Sequence, residues 1–391
     1  MNEPGNRQIV VGGGIGGLTT ALALSQRGFK VLALERAQQF REIGAGIQLG
    51  PNAWRMFEKL GVTDEIKAQT TFPDQLVTMD SISGQQITRI PLKEKFLRRF
   101  RYPYGLIHRA DLHAVLFEKC KSSPLVTLRT SQKVLGFAEL TDRVTVEVEE
   151  GVKYDGETLI GADGLWSTIR RQLIKDGQPR VSGHIAYRAV LPVDEVPVHL
   201  RTNSMTLWAG PNNHLVTYPM RGWKLFNLVA TFHSDRYVEG WDSQADPEEL
   251  HRSFQGVVPD VKTMLNKIDA WRMWVLCDRD PLRGWSRGRV TLLGDAAHPM
   301  LPYIAQGAAM AIEDAVVLAE ELQRAGGDYP GAFAAYEQKR HARTSRAQLM
   351  SRQSGEFFHA SGPAREMRNE FMARRTEDQA HDALAWIYDG M

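Results

Sequence analysis

A glycine-rich turn close to the N-terminus has the residue types and the spacing of a phosphate-binding loop. Gly12, Gly14 and Gly17 follow the pattern G-x-G-x-x-G. In such a turn the first glycine permits a tight bend, the second lets a pyrophosphate approach the backbone, and the third lets a helix pack on a strand. Glu35 follows about 20 residues later, where a carboxylate binds the hydroxyl groups of a ribose. The pattern predicts a dinucleotide site that disfavours a 2′-phosphate, so NAD and FAD both stay open.

A second candidate site is the run HLVTYP, which contains a histidine and a tyrosine at strand spacing. His214 and Tyr218 fall on the same face of a strand, because side chains alternate with period two. Histidine, with an intrinsic pKa of about 6.5, and tyrosine are both suited to proton transfer near neutral pH. The pair is a candidate for proton chemistry, and two hydrogen-bonded core residues are the alternative.

The segments around the glycine turn indicate how it is positioned. QIVV, at residues 8–11, has the short β-branched character of a strand buried on both faces. LTTALALSQRG then places apolar residues at helical spacing before a glycine, and KVLALE forms a second strand that ends at Glu35. This βαβ unit places the phosphates at a helix N-terminus, where free N–H groups and the helix dipole favour anions.

Residues 157–173 also combine a strand, a turn and a helix. ETLIGADG indicates a strand that enters a tight Asp-Gly turn at Asp163. Ser167 follows, and its hydroxyl can cap the next helix.

Residues 289–322 repeat this order. A buried strand ends before Asp295, and ligands gather at the carboxyl ends of strands in open α/β sheets. A helix of small residues then begins near Gln306, and Gly307 leaves its N-terminus open to a flat or anionic group.

The remaining patterns indicate the overall fold. With 391 residues the chain exceeds the usual ceiling of about 250–300 residues for a single core. Residues 181–278 carry short alternating stretches separated by Gly, Pro and Asn, which predict an antiparallel sheet with one face on a core. We predict an α/β fold in which a Rossmann-like domain is interleaved with a mainly antiparallel domain and followed by a C-terminal helical region.

Composition excludes several classes of function. A net charge of +2 is too small to indicate binding of a nucleic acid, which is a polyanion. Cys120 and Cys277 lack metal-ligand spacing and are too few for a disulfide framework, so we expect a cytoplasmic protein without a metal site. We also expect neither a signal peptide nor a transmembrane segment, since no apolar run approaches about 20 residues.

Three motifs in order carry a family resemblance: the glycine turn with Glu35, GADG at residues 161–164, and GDAAHP at residues 294–299. Together they resemble the single-component FAD-dependent aromatic hydroxylases of the para-hydroxybenzoate hydroxylase type, over nearly the whole chain. The resemblance implies bound FAD, NADH or NADPH and O₂ as co-substrates, and a small aromatic acid as substrate. No second G-x-G-x-x-G motif is present, so the nicotinamide nucleotide is expected to bind transiently.

The resemblance also implies a cofactor set and a division of the chain. The predicted FAD-binding residues are Gly12, Gly14, Ile15, Gly17, Glu35, Arg36, Gln48, Arg109, Asp163, Asp295, Gly307 and Ala308. The predicted units are an FAD-binding domain at 1–72, 103–178 and 281–330, a substrate-binding domain at 73–102 and 179–280, and the helical region at 331–391. That region is expected to pack on the FAD-binding domain, with a homodimer contact as the alternative.

Two of these predicted cofactor residues lie in segments with a local prediction of their own. Gln48 lies in REIGAGIQLGPNA, at residues 41–53, where glycine and polar residues predict a loop against a flat ligand, or an ordinary surface loop. Arg109 precedes a predicted helix that Asp111 can cap.

The resemblance gives the catalytic candidates a substrate. A C4a-hydroperoxyflavin attacks a phenolate faster than a phenol, so the protein must take the phenolic proton. The run around His214 and Tyr218 resembles that of 3-hydroxybenzoate 6-hydroxylases, whose His and Tyr contact substrate. Gln306, in PYIAQGA, is the third catalytic candidate because this run should pass beside the flavin.

Departures within PYIAQGA keep several substrates open. Pro302 stands where 3-hydroxybenzoate enzymes commonly have Gln, and Tyr303 where 6-hydroxynicotinate enzymes favour His. Oxidation of 3-hydroxybenzoate to gentisate is the prediction, with salicylate 1-hydroxylation and 6-hydroxynicotinate 3-hydroxylation as alternatives. A non-catalytic FAD-binding redox sensor is the alternative of a different class.

Overall fold

The structure is a computed structural model that describes residues 7–40, 45–149, 151–234, 241–268 and 271–390. Its strands are β1 (Gln8–Val11), β2 (Val31–Leu34), β3 (Gly46–Leu49), β4 (Gln75–Asp80), β5 (Gln86–Pro91), β6 (Gly105–His108), β7 (Val126–Arg129), β8 (Val134–Glu139), β9 (Val144–Val148), β10 (Lys153–Gly156), β11 (Thr158–Gly161), β12 (Arg180–Pro192), β13 (Ser204–Gly210), β14 (Asn213–Met220), β15 (Leu225–His233), β16 (Trp241–Gln244), β17 (Arg272–Asp278), β18 (Ser286–Arg287) and β19 (Val290–Leu292). Its helices are α1 (Ile15–Ser25), α2 (Pro51–Leu60), α3 (Thr63–Ala68), α4 (Glu94–Phe100), α5 (Arg109–Ser122), α6 (Thr168–Leu173), α7 (Pro247–Ser253), α8 (Pro259–Leu265), α9 (Gly307–Ala325), α10 (Tyr329–Phe358), α11 (Gly362–Ala373) and α12 (Glu377–Tyr388).

The predicted βαβ unit lies within a six-stranded sheet of order β18-β19-β11-β1-β2-β7. All its pairs are parallel except β18 with β19 at the edge. Strands β1, β2, β11 and β19 are buried throughout, as expected for a parallel sheet covered on both faces. Because β19, β11 and β1 are neighbours, their carboxyl ends bring the turns at Gly12, Asp163 and Gly294 to one edge. The predicted α/β fold is confirmed.

A second sheet has eight strands in the order β16-β17-β12-β15-β14-β13-β4-β5. It is antiparallel apart from the pair of β13 with β4, which confirms the antiparallel sheet predicted for residues 181–278. One face packs on a core that includes Ile185, Leu215 and Phe232 together with apolar residues of α7 and α8. The exact domain boundaries stay a prediction.

Residues 41–53 differ from the predicted loop. Residues 41–44 lie outside the described residues, but β3 pairs antiparallel with β6, and α2 begins at Pro51. The loop prediction was therefore wrong for these parts. Strand β3 has a weak local pattern and is stabilised by pairing with β6, which lies far along the chain. For α2, proline at the first helical position was a start signal that the sequence analysis overlooked.

The start of helix α5 also differs from its prediction. The helix begins at Arg109, and its cap is His108, whose Nδ1 accepts a hydrogen bond from the Ala110 N–H at 3.2 Å. Asp111 is therefore not the cap, and its carboxylate accepts a hydrogen bond from Arg221 Nε at 2.8 Å instead. A ring nitrogen can replace the oxygen that capping usually requires, which residue preferences did not anticipate.

The predicted C-terminal helical region is confirmed as α10, α11 and α12. Arg340 of α10 is fully buried, and its guanidinium lies 2.6 Å from the carboxylates of both Glu313 and Asp314 on α9. Both carboxylates are also buried, so these ion pairs hold α10 onto α9. Within the described ranges, no helix combines the length and apolar character needed to cross a membrane.

Replacement of Arg340 by methionine should strongly destabilise the protein. Glu313 and Asp314 would keep buried charges without this partner, and loss of one member of a buried pair costs about 3–5 kcal/mol. Urea unfolding followed by circular dichroism measures the change. The control is Lys133→Met, which removes an exposed pair with Glu149 at 2.8 Å and should change the free energy of unfolding by less than about 1 kcal/mol. Equal effects of the two variants would contradict this account.

Candidate active site

The glycine turn after β1 leaves no room for larger side chains. Gly12 has φ +111°, and a Cβ there would lie 2.2 Å from the carbonyl oxygen of Ala162 in the neighbouring turn. A Cβ on Gly17 would lie 1.9 Å from the Gly12 carbonyl oxygen. These contacts require glycine at both positions, and they bring α1 tightly against the end of the parallel sheet.

Helix α1 starts directly after this turn with an open N-terminus. Gly14 precedes Ile15, the first helical residue, and no side chain in the described part of the chain caps the helix. The Glu35 carboxylate is fixed beside the turn, accepting hydrogen bonds from the Gly13 N–H at 2.6 Å and the Ala37 N–H at 2.8 Å. The N–H groups of an uncapped first turn favour an anion.

Helix α9 presents a second open N-terminus. Gln306 precedes it, Gly307 and Ala308 are its first residues, and none of the described side chains caps it. Asp295 lies in the 3-10 turn Gly294–Ala296 beside this end, and its Oδ1 would be 3.8 Å from a Cβ added to Gly307. The second predicted motif therefore meets the start of α9.

The two open helix ends lie close together. A Cβ on Gly16 would be 3.3 Å from the Cβ of Ala311, so α1 and α9 are in contact near their N-terminal ends. The N-termini of α1 and α9 both carry partial positive charge. Glu35 lies beside them, followed by the exposed Arg36. This arrangement fits an extended dinucleotide, with its diphosphate at the helix ends and a ribose at the carboxylate.

The side chain of Gln306 is held by a buried network. The Asn52 amide donates to Gln306 Oε1 at 3.0 Å and to Glu313 Oε1 at 2.8 Å. Arg340 and Arg343 both donate to the Glu313 carboxylate. Gln306 therefore has an orientation imposed by helices α2, α9 and α10.

The side chains of two other predicted cofactor residues are engaged by the protein. Asp163 accepts a hydrogen bond from the Thr168 N–H at 2.7 Å at the start of α6, and burial raises the pKa of its carboxyl group. Gln48 accepts a hydrogen bond from the Tyr104 hydroxyl, while Arg109 is half-buried at the start of α5. The structure assigns the Asp163 carboxylate to helix capping, and its contact with a cofactor stays a prediction.

One face of the eight-stranded sheet lies against the small sheet of β3 and β6. The Gly46 N–H of β3 donates to Asn227 Oδ1 at 2.8 Å, and a Cβ on Gly46 would be 2.4 Å from Tyr218 Cε2. His214 is four residues before Tyr218 on β14 and shares this face. The predicted catalytic pair is therefore turned toward the strand that carries Gln48.

The strand register adds further residues to this face. Val229 of β15 lies opposite both Arg188 of β12 and Val216 of β14. Because cross-strand partners point to the same side, Arg188 shares a face with Val216 and hence with His214. We use the term polar face for the residues His184, Arg188, His214, Tyr218, Asn227, Thr231 and Trp274.

Three buried atoms of the polar face have no hydrogen-bond partner among the described residues: Arg188 Nε, Asn227 Nδ2 and Thr231 Oγ1. The Arg188 guanidinium lies over the Trp274 ring, 5.0 Å from its centroid. Burial lowers the pKa of Arg188 to about 10. The Tyr218 hydroxyl acts to raise this pKa, and the charge of Arg109 acts to lower it. The guanidinium is therefore still a cation at neutral pH. Buried polar atoms without partners are costly, so this face fits an anionic ligand that accepts and donates hydrogen bonds.

A row of imidazole rings extends from His214. His214 Nδ1 is 2.7 Å from His359 Nε2, and His359 Nδ1 is 3.4 Å from His184 Nε2. His184 Nδ1 is in turn 2.8 Å from the Tyr303 hydroxyl. The Tyr303 ring centroid lies 5.6 Å from that of His214, so the segment before α9 closes the site on this side.

Burial sets the protonation states of the catalytic candidates. It lowers the pKa of His214 to about 3, with the nearby His184 acting in the same direction. It raises the pKa of the Tyr218 hydroxyl. At neutral pH, His214 is an uncharged imidazole that can accept a proton, and Tyr218 is a phenol that can donate a hydrogen bond.

Sequence patterns missed several residues of this site. His359 follows α10, 145 positions beyond His214, in a region to which only helical packing was assigned. No local pattern connects the two residues. By contrast, strand alternation in HIAYR could have placed His184 and Arg188 on one face before the structure was known.

Comparisons with known proteins extend this picture. A family described as FAD binding domain matches residues 7–351. A 3-hydroxybenzoate 6-hydroxylase of Polaromonas naphthalenivorans (strain CJ2) is 44% identical over 381 residues, which cover 97% of this chain and 95% of that protein. A 3-hydroxybenzoate 6-hydroxylase of Klebsiella oxytoca is 43% identical over 98% of this chain and 96% of its own length. Among solved structures, Klebsiella pneumoniae HpxO complexed with FAD and uric acid has a TM-score of 0.87 and 25% identity, covering 99% of this chain and 97% of its own. The chain therefore belongs to the FAD-binding family and, within it, to the FAD-dependent aromatic hydroxylases that its three ordered motifs predicted, and FAD is its cofactor.

Proposed function

We propose that the chain hydroxylates 3-hydroxybenzoate at ring position 6 to give gentisate, with NADH or NADPH and O₂ as co-substrates. The relatives named 3-hydroxybenzoate 6-hydroxylase support this substrate, since they match almost the whole chain. The observation that carries the proposal is the polar face, where the Arg188 cation, whose Nε has no partner among the described residues, and the neutral His214 share one side of a sheet.

The polar face supports binding of a carboxylate and a hydroxyl on one aromatic ring. Arg188 and His214 lie on strands separated by β15, so their backbones are roughly 10 Å apart across the sheet. In this proposal the substrate carboxylate pairs with Arg188, and its hydroxyl hydrogen-bonds to His214.

His214 takes the phenolic proton as hydroxylation proceeds. Its low pKa keeps the ring neutral, so a nitrogen is available as an acceptor at neutral pH. Tyr218 keeps its own proton and donates a hydrogen bond to the oxygen that becomes negative. In this proposal the hydrogen bond from Tyr218 stabilises the phenolate form of the substrate, and His214 is the neutral group that accepts the proton.

The nucleotide end fits FAD, which when bound supplies hydride acceptance from NAD(P)H and activation of O₂. The open ends of α1 and α9 would hold the diphosphate, and Glu35 would hold the ribose of the adenosine half. Gln306, oriented by Asn52, is proposed to contact the flavin end. The homodimer contact and the cytoplasmic location stay predictions from the sequence.

Activity with a panel of aromatic acids tests the proposed substrate. The purified holoenzyme should oxidise NADH or NADPH faster when 3-hydroxybenzoate is added, and gentisate should accumulate as the nucleotide is consumed. Salicylate and 6-hydroxynicotinate should be hydroxylated more slowly. Hydroxylation of either compound in preference to 3-hydroxybenzoate would contradict the substrate assignment. Failure of every phenolic acid to accelerate oxidation would favour a non-catalytic FAD-binding sensor.

Replacement of Arg188 by methionine should weaken binding of the substrate carboxylate. A hydrogen bond to a charged group is worth about 1.5–3 kcal/mol, so KM for 3-hydroxybenzoate should rise about 10- to 100-fold. Arg188→Lys keeps the charge and should lose less. The matched substrate is 3-hydroxybenzyl alcohol, which has no carboxylate and whose KM should respond little. A similar loss for both compounds would show that Arg188 does not bind the carboxylate.

Replacement of His214 by glutamine should slow catalysis without loss of FAD. Positioned bases contribute about 10²- to 10⁴-fold to rate, so kcat near pH 7 should fall in this range. The deficit should shrink as pH rises toward the phenol pKa of about 10, since the substrate then ionises in solution. His251→Gln, on the exposed surface of α7, is the control and should keep full activity. A deficit that is constant at every pH would argue against a role in proton removal.

A further inference from the structure

Asn227 is a buried residue of the polar face to which the function proposed above gives no role. It lies on β15, directly opposite Tyr218 of β14, and it is 0% exposed. Val229, the next residue of β15 on the same face, lies opposite Arg188 of β12. Asn227 is therefore a diagonal neighbour of Arg188, and such neighbours are roughly 7–8 Å apart, within reach of long side chains.

The contact with β3 determines the orientation of the Asn227 amide. The backbone N–H of Gly46 needs an acceptor, and it donates to Asn227 Oδ1 at 2.8 Å. The other end of the amide is therefore the NH2 group, which can only donate. Its Nδ2 is buried and has no partner within the described ranges of the chain. A buried donor without an acceptor is costly, so Nδ2 fits a ligand atom that accepts a hydrogen bond.

We propose that Asn227 Nδ2 is a second donor to the substrate carboxylate, beside Arg188, and that it makes the site selective for an aromatic acid. This inference rests on the proposed hydroxylation of 3-hydroxybenzoate. One carboxylate oxygen accepts a hydrogen bond from Arg188, and the other accepts one from Asn227. Asn227 is thus a specificity-determining residue that contacts the substrate and takes no part in proton transfer.

The two ends of β15 on this face suit the two substituents of the ring. Thr231 lies four residues beyond Asn227 and directly opposite His214, so these positions are roughly 13 Å apart along the strand. Val229 lies midway, with Val216 opposite it on β14, and gives the aromatic ring an apolar surface. A meta-substituted aromatic acid with a hydrogen bond of about 2.9 Å at each end spans a comparable length. One end therefore offers donors for the carboxylate, and the other offers His214 for the hydroxyl.

The charge around Asn227 favours an anion. Arg188 is a cation at neutral pH, because burial lowers its pKa only to about 10. Burial raises the pKa of the Tyr218 hydroxyl, so the cross-strand partner of Asn227 adds no negative charge. None of the residues of the polar face is a carboxylate. An anionic group beside Asn227 therefore meets one positive charge and two uncharged donors, the Asn227 amide and the Tyr218 hydroxyl.

Support of β3 is the competing explanation for Asn227. A Cβ on Gly46 would lie 2.4 Å from Tyr218 Cε2, and the Gly46 N–H bonds to Asn227, so β3 packs closely on both cross-strand partners. The Gly46 N–H needs only Oδ1, however, and an aspartate would supply that acceptor equally well. The NH2 group is therefore the part of Asn227 that the packing of β3 leaves unexplained.

Substitution of Asn227 tests the inference through the preference for an acid over the corresponding alcohol. The dissociation constants of 3-hydroxybenzoate and 3-hydroxybenzyl alcohol are measured on the FAD-loaded enzyme from the change in flavin absorbance, without NADH or NADPH. Both compounds have the same ring and hydroxyl, so the ratio of their constants cancels a general disturbance of the site. In Asn227→Leu, loss of one hydrogen bond to a charged group should reduce the preference for the acid about 10- to 100-fold.

A second variant, Asn227→Asp, separates carboxylate binding from support of β3. It keeps an acceptor for the Gly46 N–H, yet it should reduce the preference for the acid at least as much as Asn227→Leu. The new carboxylate would repel that of the substrate and would pair with Arg188 in its place. The matched control is Asn266→Asp, which makes the same change at an exposed position after α8 and should keep the wild-type preference.

The outcomes distinguish this inference from the function on which it rests. If the wild type hydroxylates no phenolic acid, the proposed function fails. If it hydroxylates 3-hydroxybenzoate but binds the alcohol as tightly as the acid, the roles of both Arg188 and Asn227 at the carboxylate are overturned. If the wild type prefers the acid and both Asn227 variants keep that preference unchanged, Asn227 only supports β3 and this inference alone is overturned. Should one of the two variants lose FAD, the other gives the same test.

Discussion

The register of β12, β15 and β14 is the constraint on which the site depends. Alternation sends Ile185, Leu215 and Phe232 into the apolar core on one side and the residues of the polar face to the other. A slip of one residue would reverse every side chain, exposing that core and burying Arg188 and His214 within it. The burial of apolar area that stabilises the sheet therefore also fixes which polar groups face β3. A change in the register of these strands would therefore alter both the stability of the sheet and the geometry of the site.

Helix α10 joins the two ends of the site. Arg340 and Arg343 hold Glu313, which shares Asn52 with Gln306 at the nucleotide end. Further along, Gln348 donates to the Pro299 carbonyl oxygen at 3.1 Å and Ser351 donates to the Leu301 carbonyl oxygen, so the segment before Tyr303 is fixed as well. His359 follows the end of the helix and meets His214. A helix rises about 1.5 Å per residue, so one rigid element links features roughly 28 Å apart. The C-terminal region, for which the sequence predicted packing, thus contacts both halves of the site.

Features governed by neighbouring residues were predictable, and those governed by distant contacts were not. The glycine turn, both sheets, the Ser167 cap and the shared face of His214 and Tyr218 follow from local spacing, and the structure has each of them. Strand β3 was missed because its support comes from β6, about 60 residues away. His359 and Asn52 were missed for the same reason, since their polar partners lie on other elements. The sequence also did not reveal that the Asp163 carboxylate caps a short helix, while its predicted contact with the cofactor stays a prediction.

The two ends of the site carry charge in opposite ways, and in the proposed function this difference orients the substrate. At the nucleotide end, backbone N–H groups at two open helices offer partial positive charge, so a diphosphate needs little help from basic side chains. Burial keeps His214 and His184 of the polar face neutral, and likewise the neighbouring His359, while Arg188 stays charged over Trp274. Positive charge on this face therefore lies at the Arg188 side and not at the imidazole side. An aromatic acid gains most when its carboxylate meets Arg188 and its hydroxyl meets His214, and the reverse orientation would leave a carboxylate against neutral rings. If the imidazoles were charged at rest, both orientations would be attractive and the hydroxylated ring position would lose its definition.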